Sequence, residues 1–115
     1  MNSESNTISF EEFKKVEMKI GTILSAEKIP DTDKLLKLSV DLGEGVLRQI
    51  VSGIAEYFPE PGELIGMQCV CVSNLAGRTI RGCESNGMIL AVTGGDGTFS
   101  LLSPQRSVPS GSRVT

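Results

Sequence analysis

The chain has 115 residues, with 11 Lys plus Arg, 14 Asp plus Glu and no His, which sums to a net charge of −3. One domain fits this length, since domains usually run ~100–150 residues, and 39% hydrophobic with 22% charged residues suits a folded chain rather than a disordered one. Without His there can be no Ser-His-Asp triad, Cys-His dyad or His-bearing zinc site, and the acidic total counts against a partner rich in phosphate.

The total conceals a division. Residues 1–63 carry 12 acids and 7 bases, whereas residues 64–115 carry only Glu84 and Asp96 against Arg78, Arg81, Arg106 and Arg113. Every base of the second part is Arg, whose planar fork of donors suits phosphate and base edges. A small basic surface on an acidic protein is therefore open.

Met1 to Ser9 has no apolar core, which predicts no signal peptide, and no apolar run nears the ~18 residues of a membrane-spanning helix. The three cysteines are odd in number, and Cys69 and Cys71 sit in an apolar stretch. Free buried thiols in a reducing cytoplasm are the expectation.

Residues 1–8 are expected to form a flexible N-terminus and 9–115 a single domain. Ser9 and Glu12 have the spacing of a capping box, with Ile8 and Phe13 at the staple positions. The helix so started should run from Phe10 to about Lys15, with Phe10, Phe13 and Val16 on its inner side. A strand follows, in which the even positions Val16, Met18, Ile20, Thr22, Leu24 and Ala26 form the buried face and Ile23 is the exception. Gly21 within it suggests a bend or bulge at a barrel corner.

Residues 29–33 read as a loop. Leu36, Leu38, Val40 and Leu42 alternate with polar residues as a second strand, and Gly43-Glu44-Gly45 turns it into a third, Val46 to Ser52. Gly53 to Phe58 can make one helical turn, stopped by Pro59, Pro61 and Gly62. Met67 to Ser73 is apolar on both faces, hence a central strand. Asn74 to Gly87 is a long polar loop, Met88 to Val92 a buried strand, Gly94 to Gly97 a turn and Thr98 to Leu102 the last clear strand. The irregular tail has Val108 and Val114 to dock.

Five principal strands, a helical turn between the third and fourth, and long loops after the first and fourth match an all-β, five-stranded Greek-key barrel of the oligonucleotide-binding (OB) type. A short N-terminal helix and C-terminal strands are added to it, and an SH3-like barrel is the runner-up.

The 74–87 loop is the most informative stretch, with two Arg, two Asn, a Ser and three Gly. Glycines there allow backbone amides to turn outward. Arg78, Arg81 and Asn74 supply donors for phosphate, ribose and base edges, and Ser85 could bond a phosphate or a 2′-hydroxyl. The plain alternative is a polar loop that caps the barrel. Met88, at the start of a strand, is a core residue by default and a base contact if it lies at the rim. Lys34 in the first long loop is a candidate phosphate contact or a solvated charge. Asp31 and Asp33 suit capping and turn formation better than a metal, and no other metal or cofactor site emerges. Neither a carboxylate pair for acid–base work nor a nucleophile beside a base is evident, which predicts a non-catalytic chain. The aromatic residues lie off the second and third strands, so the stacking platform of unspecific single-strand binders, worth ~1–3 kcal/mol per base, is missing. A nucleic-acid partner would then be a folded RNA read by loops and shape.

Taken in order, Asp33-Lys34-Leu35, Val40-Asp41-Leu42-Gly43, Val51-Ser52-Gly53-Ile54, Asn74-Leu75, Arg81-Gly82-x-x-Ser85-x-Gly87-Met88, Leu101-Leu102-Ser103-Pro104 and Pro109-x-Gly111 resemble the tRNA-binding domain found at the C-terminus of methionyl-tRNA synthetases. The resemblance covers about Phe10 to Val114. It implies an OB barrel used as a homodimer, a non-catalytic appendage that strengthens tRNA binding in cis or in trans, with tRNA and an aminoacyl-tRNA synthetase catalytic chain as partners, no membrane and a cytoplasmic location. Similar chains also occur as a small dimeric chaperone that binds peptides, which is the alternative reading. The family's RNA-facing positions fall on Lys34, Ser52, Asn74, Arg78, Arg81, Ser85 and Met88. Its dimer surface would involve Phe10 and Phe13 of the N-terminal helix with Leu101, Leu102 and Val108 of the C-terminal addition. Two positions depart from the pattern: Thr79 replaces a common Lys and Gly77 a frequent Pro, so binding is expected to be modest and salt-sensitive.

Overall fold

The computed structural model describes residues 6–115. The predicted flexible N-terminus therefore falls in part on residues 1–5, outside the described residues. Ser9 caps a short helix, α1 (Phe10–Phe13): its hydroxyl accepts from the Glu12 amide at 3.1 Å and its amide donates to the Glu12 carboxylate at 3.1 Å. The capping box is as expected, but the helix stops two residues early. None of its side chains is buried, so Phe10 and Phe13 are not on an inner face.

Nine strands follow among the described residues: β1 (Met18–Lys28), β2 (Leu36–Asp41), β3 (Arg48–Ser52), β4 (Gln68–Val72), β5 (Arg78–Ile80), β6 (Cys83–Ser85), β7 (Met88–Ile89), β8 (Ala91–Thr93) and β9 (Phe99–Leu101). The main sheet has the order β3-β2-β1-β4-β7, antiparallel throughout. It curls until β3 meets the segment leading into β7, where the Asn86 amide bonds the Gln49 carbonyl at 2.8 Å. The result is a nearly closed five-stranded OB-type barrel, as the strand pattern predicts. Two 3-10 turns, Ala55–Tyr57 and Pro61–Leu64, connect β3 to β4, and the second buries Leu64 where the prolines alone suggested a stop.

The interior is filled by Ile23, Leu36, Leu38, Val40, Leu42, Ile50, Leu64, Cys69 and Cys71, all essentially inaccessible. The alternation of β2 is as read, Leu36, Leu38 and Val40 pointing in. That of β1 is not. Its interior face is set by Gly21 and Ile23: a Cβ on Gly21 would lie 2.5 Å from Val40 Cγ1 and 3.0 Å from Cys71 Sγ. Gly21 thus makes room for neighbouring core side chains, and the bulge lies further on, between Ile23 and Ser25. The extra residue, Leu24, is exposed and the phase switches there. Before the bulge, the even face meets the C-terminal segment instead of the core. Thr22 Oγ1 lies 2.8 Å from Ser110 Oγ, and the Gln68 amide group bonds the Val108 backbone in both directions.

That segment also completes the sheet. The Ser112 and Met18 carbonyls accept from the Ile20 and Val114 amides at 2.8 and 2.9 Å, filling the edge of β1 that β2 leaves open. Gly43 and Gly111 allow the crossing, since a Cβ on Gly111 would collide with the Leu42 carbonyl oxygen and its φ is +88°. The expected buried strand 88–92 is two strands. β7 pairs with β4, while β8 pairs with β9 in a hairpin whose first strand is exposed.

Candidate nucleic-acid interface

The stretch expected to be a long loop contains a β-hairpin. Arg78, Thr79 and Ile80 pair with Ser85, Glu84 and Cys83. The two residues between the strands, Arg81 and Gly82, have φ of +50° and +79°, the two positive φ values of a type I′ turn. The signal was a two-residue Arg-Gly link between Ile80 and Cys83. It was hidden because Asn or Asp, and seldom Arg, takes the first left-handed position.

The hairpin is held along its returning strand by β3. The Ser85 hydroxyl, on a residue only 3% exposed, accepts from the buried Val51 amide at 3.0 Å. The Gln49 side chain donates to the Glu84 carbonyl at 2.9 Å. Ser85 is therefore part of the barrel closure, its hydroxyl committed to β3 and the residue nearly inaccessible. Its neighbour Gly87, with φ +132°, passes 3.1 Å from the Val72 carbonyl oxygen at its Cβ position.

Arg78 and Arg81 are exposed, as is Lys34, and among the described residues none of the three forms an ion pair. Arg81 and Lys34 border one open groove of about 360 Å³ with Asp31, Thr32, Asp33 and Leu35. The hairpin turn and the first long loop thus converge. The 31–35 loop is held by the Ala55 amide, which donates to the Lys34 carbonyl at 2.9 Å, and by the Thr32 hydroxyl on the Ile29 carbonyl. Asp31 and Asp33 share this groove, so its positive charge is diluted. A second groove of about 420 Å³ is lined by Arg78, Ser85, Gly87 and Met88 with Leu75 and Ala76. Half-exposed Leu75 and Met88 offer it an apolar wall. Guanidinium groups for phosphate and an apolar wall for a base or ribose face are what an RNA site needs.

Two predicted site residues lie elsewhere in role. The Asn74 side chain is engaged at both ends by backbone, its oxygen accepting from the Glu17 amide at 2.8 Å and its nitrogen donating to the Lys15 carbonyl. It ties the end of β4 to the residue run after α1. Ser52 is half-buried at the end of β3, opposite Leu36. The residues that sequence reasoning missed are Arg48 and Gln49, which stood as an undistinguished pair in the acidic half.

The apolar residues proposed for self-association are also divided. Phe10 is 70% exposed and lines a groove of about 280 Å³ with Phe13, Val16, Met18 and Val114. Leu102 is exposed, Val108 is half-buried against Gln68, and Leu101, at 7%, belongs to the chain's own core. Leu101 cannot serve a second copy without leaving that core.

The Cys69 and Cys71 sulfurs lie 3.8 Å apart inside the barrel. Their mutual hydrogen bond and burial hold the Cys69 thiol above its ordinary pKa. No group of three His, Cys, Asp or Glu is placed to hold a metal among the described residues, and no helix of the described residues is long and apolar enough to cross a membrane.

A barrel of this topology with a cationic hairpin at its rim defines a nucleic-acid-binding class, and residues 18–113 match the family described as "Putative tRNA binding domain". The chain belongs to that family. It is 57% identical over 107 residues to the methionine–tRNA ligase of Methanospirillum hungatei and 48% identical over 111 residues to that of Flavobacterium johnsoniae. These matches cover 93% and 96% of this chain but 15% of each ligase; the chain spans about one seventh of the length of these relatives. Among solved structures it resembles a MetRS-related protein from Pyrococcus horikoshii, with TM-score 0.85, 41% identity and coverage of 95% of this chain and 98% of that one. It also resembles the chaperone CsaA of Bacillus anthracis, with TM-score 0.83, 29% identity and coverage of 95% and 99%.

Proposed function

We propose that this chain is a non-catalytic tRNA-binding module that works in the cytoplasm with, or as part of, methionyl-tRNA synthetase and pairs with a second copy of itself. The observation that carries the reading is that Lys34 and Arg81 border one groove and Arg78 lines a second on the same hairpin, three cations without ion-pair partners among the described residues, on an OB-type barrel. Arg78 and Arg81 contact the phosphate backbone, Lys34 widens the basic rim, and Leu75 and Met88 pack against an unstacked base or ribose. Ser52, Asn74 and Ser85 shape this surface from behind. Recognition follows the shape shared by tRNAs rather than one anticodon, since no aromatic platform lines the rim.

Few cations and two nearby carboxylates make each site modest. Two sites on one dimer, or one site tethered to a catalytic body, gain effective concentration without new contacts. The groove of Phe10, Phe13, Val16, Met18 and Val114 is the surface for that pairing, joined by Leu102.

The test is a titration with bulk tRNA across salt. Replacing Arg78 and Arg81 together by Ala should weaken binding and lower the slope of log K against log salt by roughly one unit for each Arg. Unchanged affinity at low salt would remove the hairpin from the site. A second reading, a peptide-binding chaperone, is favoured by the same apolar groove and by the likeness to CsaA. Suppression of aggregation of an unfolded client, with no mobility shift of tRNA, would decide for it.

A further inference from the structure

Arg48 sits where the hairpin is rooted. The β4–β7 ladder ends at the pair Val72 and Met88. Beyond it the chain leaves the barrel through Ser73 and returns through Asn86, so the carbonyls of those two residues have no ladder partner. The Arg48 Nη1 donates to both, at 2.6 Å to Ser73 and 3.2 Å to Asn86. Its Nε and Nη2 donate to the two oxygens of Glu44 at 2.9 and 2.8 Å. Four of the five donors of the guanidinium are thereby used, and its charge is matched by a carboxylate.

We propose that Arg48 is a positioning residue for RNA binding: it pins the two roots of the 74–85 segment to β3 and so fixes where Arg78 and Arg81 stand. This rests on the reading of the hairpin as the tRNA site. Arg48 differs from the hairpin arginines in what it can offer. With one donor left and Glu44 against it, it is a poor phosphate ligand. Its contribution is geometric, because a cation on a loosely rooted hairpin loses affinity to the entropy of ordering it. Glu44 holds the guanidinium from the opposite side, and Gln49 and Ser85 continue the same fastening along β6.

The experiment compares Arg48→Met, and Arg48→Lys as the milder variant should the first not fold, in the full chain. The expected result is tRNA affinity lowered about tenfold by Arg48→Met with an unchanged salt slope, partly restored in Arg48→Lys. In the background of Arg78→Ala with Arg81→Ala the same change should add less than about twofold, because neighbouring effects acting through one element are not additive. Amide hydrogen exchange supplies a readout independent of RNA: protection across 78–85 should fall while that of Ile23 and Leu38 stays. A slope lowered by about one unit, or a full tenfold loss in the triple variant, would make Arg48 a phosphate ligand and overturn the proposal. So would unchanged affinity or unchanged hairpin protection in a folded variant. Should the unsubstituted chain fail to bind tRNA, the reading of the site falls, and the exchange measurement still decides whether Arg48 roots the hairpin.

Discussion

The seam that closes the barrel and the tip of the hairpin are joined by β6 and use the same residue types for opposite ends. At the seam, Arg48 is half-buried with its donors committed to Glu44, Ser73 and Asn86, and Ser85 is buried against the Val51 amide. At the tip, Arg78 and Arg81 are exposed and form no ion pair among the described residues. The first set holds shape and the second offers charge. An arginine is informative about binding only after its existing partners are known.

Substitutions can break this contrast, the largest effects being expected at the seam. Gly87→Ala places a Cβ 3.1 Å from the Val72 carbonyl oxygen at φ +132°, a region nearly closed to other residues. A loss of about 2–3 kcal/mol in urea unfolding is expected. Ser85→Ala strands the buried Val51 amide and should cost about 1–3 kcal/mol. The salt slope of tRNA binding should stay unchanged, since no charge is removed. A stability loss below about 0.5 kcal/mol would take Ser85 out of the seam.

Glu44 gives a smaller, pH-dependent effect. The hydrogen bond from Arg48 holds its carboxyl below the usual carboxylate range. Its contribution to stability is therefore fully present above the unfolded-state pKa and fades as pH falls through the depressed native one. Thermal melts from neutral to acidic pH should show Glu44→Gln losing less on acidification than the unsubstituted chain. An equal loss in both would mean the ion pair contributes nothing to acid sensitivity. Smallest is the stability effect at the tip. Arg78→Ala with Arg81→Ala should shift unfolding by no more than about 0.5 kcal/mol while it lowers the salt slope. A large loss of stability there would merge the two regions and weaken the contrast.

Much of the barrel was legible because its signals are local. The alternation of Leu36, Leu38 and Val40 and the Ser9 and Glu12 capping box depend on neighbours in sequence. The phase of β1 was not. Its even positions are the more apolar by composition, yet before the bulge they meet the C-terminal segment, and the interior face there rests on Gly21, which has no side chain to reveal it, and Ile23. The hairpin is illegible for a related reason: an Arg in a left-handed turn position runs against propensity and is tolerated here because the returning strand β6 is fastened to β3. The cations Arg78, Arg81 and Lys34 stand out by type and spacing, and the structure places Lys34 and Arg81 around one groove. Ser85 stands out in the same way and is nearly enclosed, because a serine hydroxyl is as apt for closing a seam as for meeting a phosphate.

By itself the sequence determined the class of fold, the order of the principal strands, the absence of His chemistry and the arginine-only basic half, all of which follow from residue type and short-range periodicity. Tertiary structure decided which face of β1 is inside, which arginines are spent and which are free, and that Leu101 is core while Phe10 is surface. Those outcomes depend on contacts across tens of residues, between β3 and the hairpin roots and between β1 and the C-terminal segment. No pattern along the chain encodes which of two equivalent polar or apolar residues will meet a partner there.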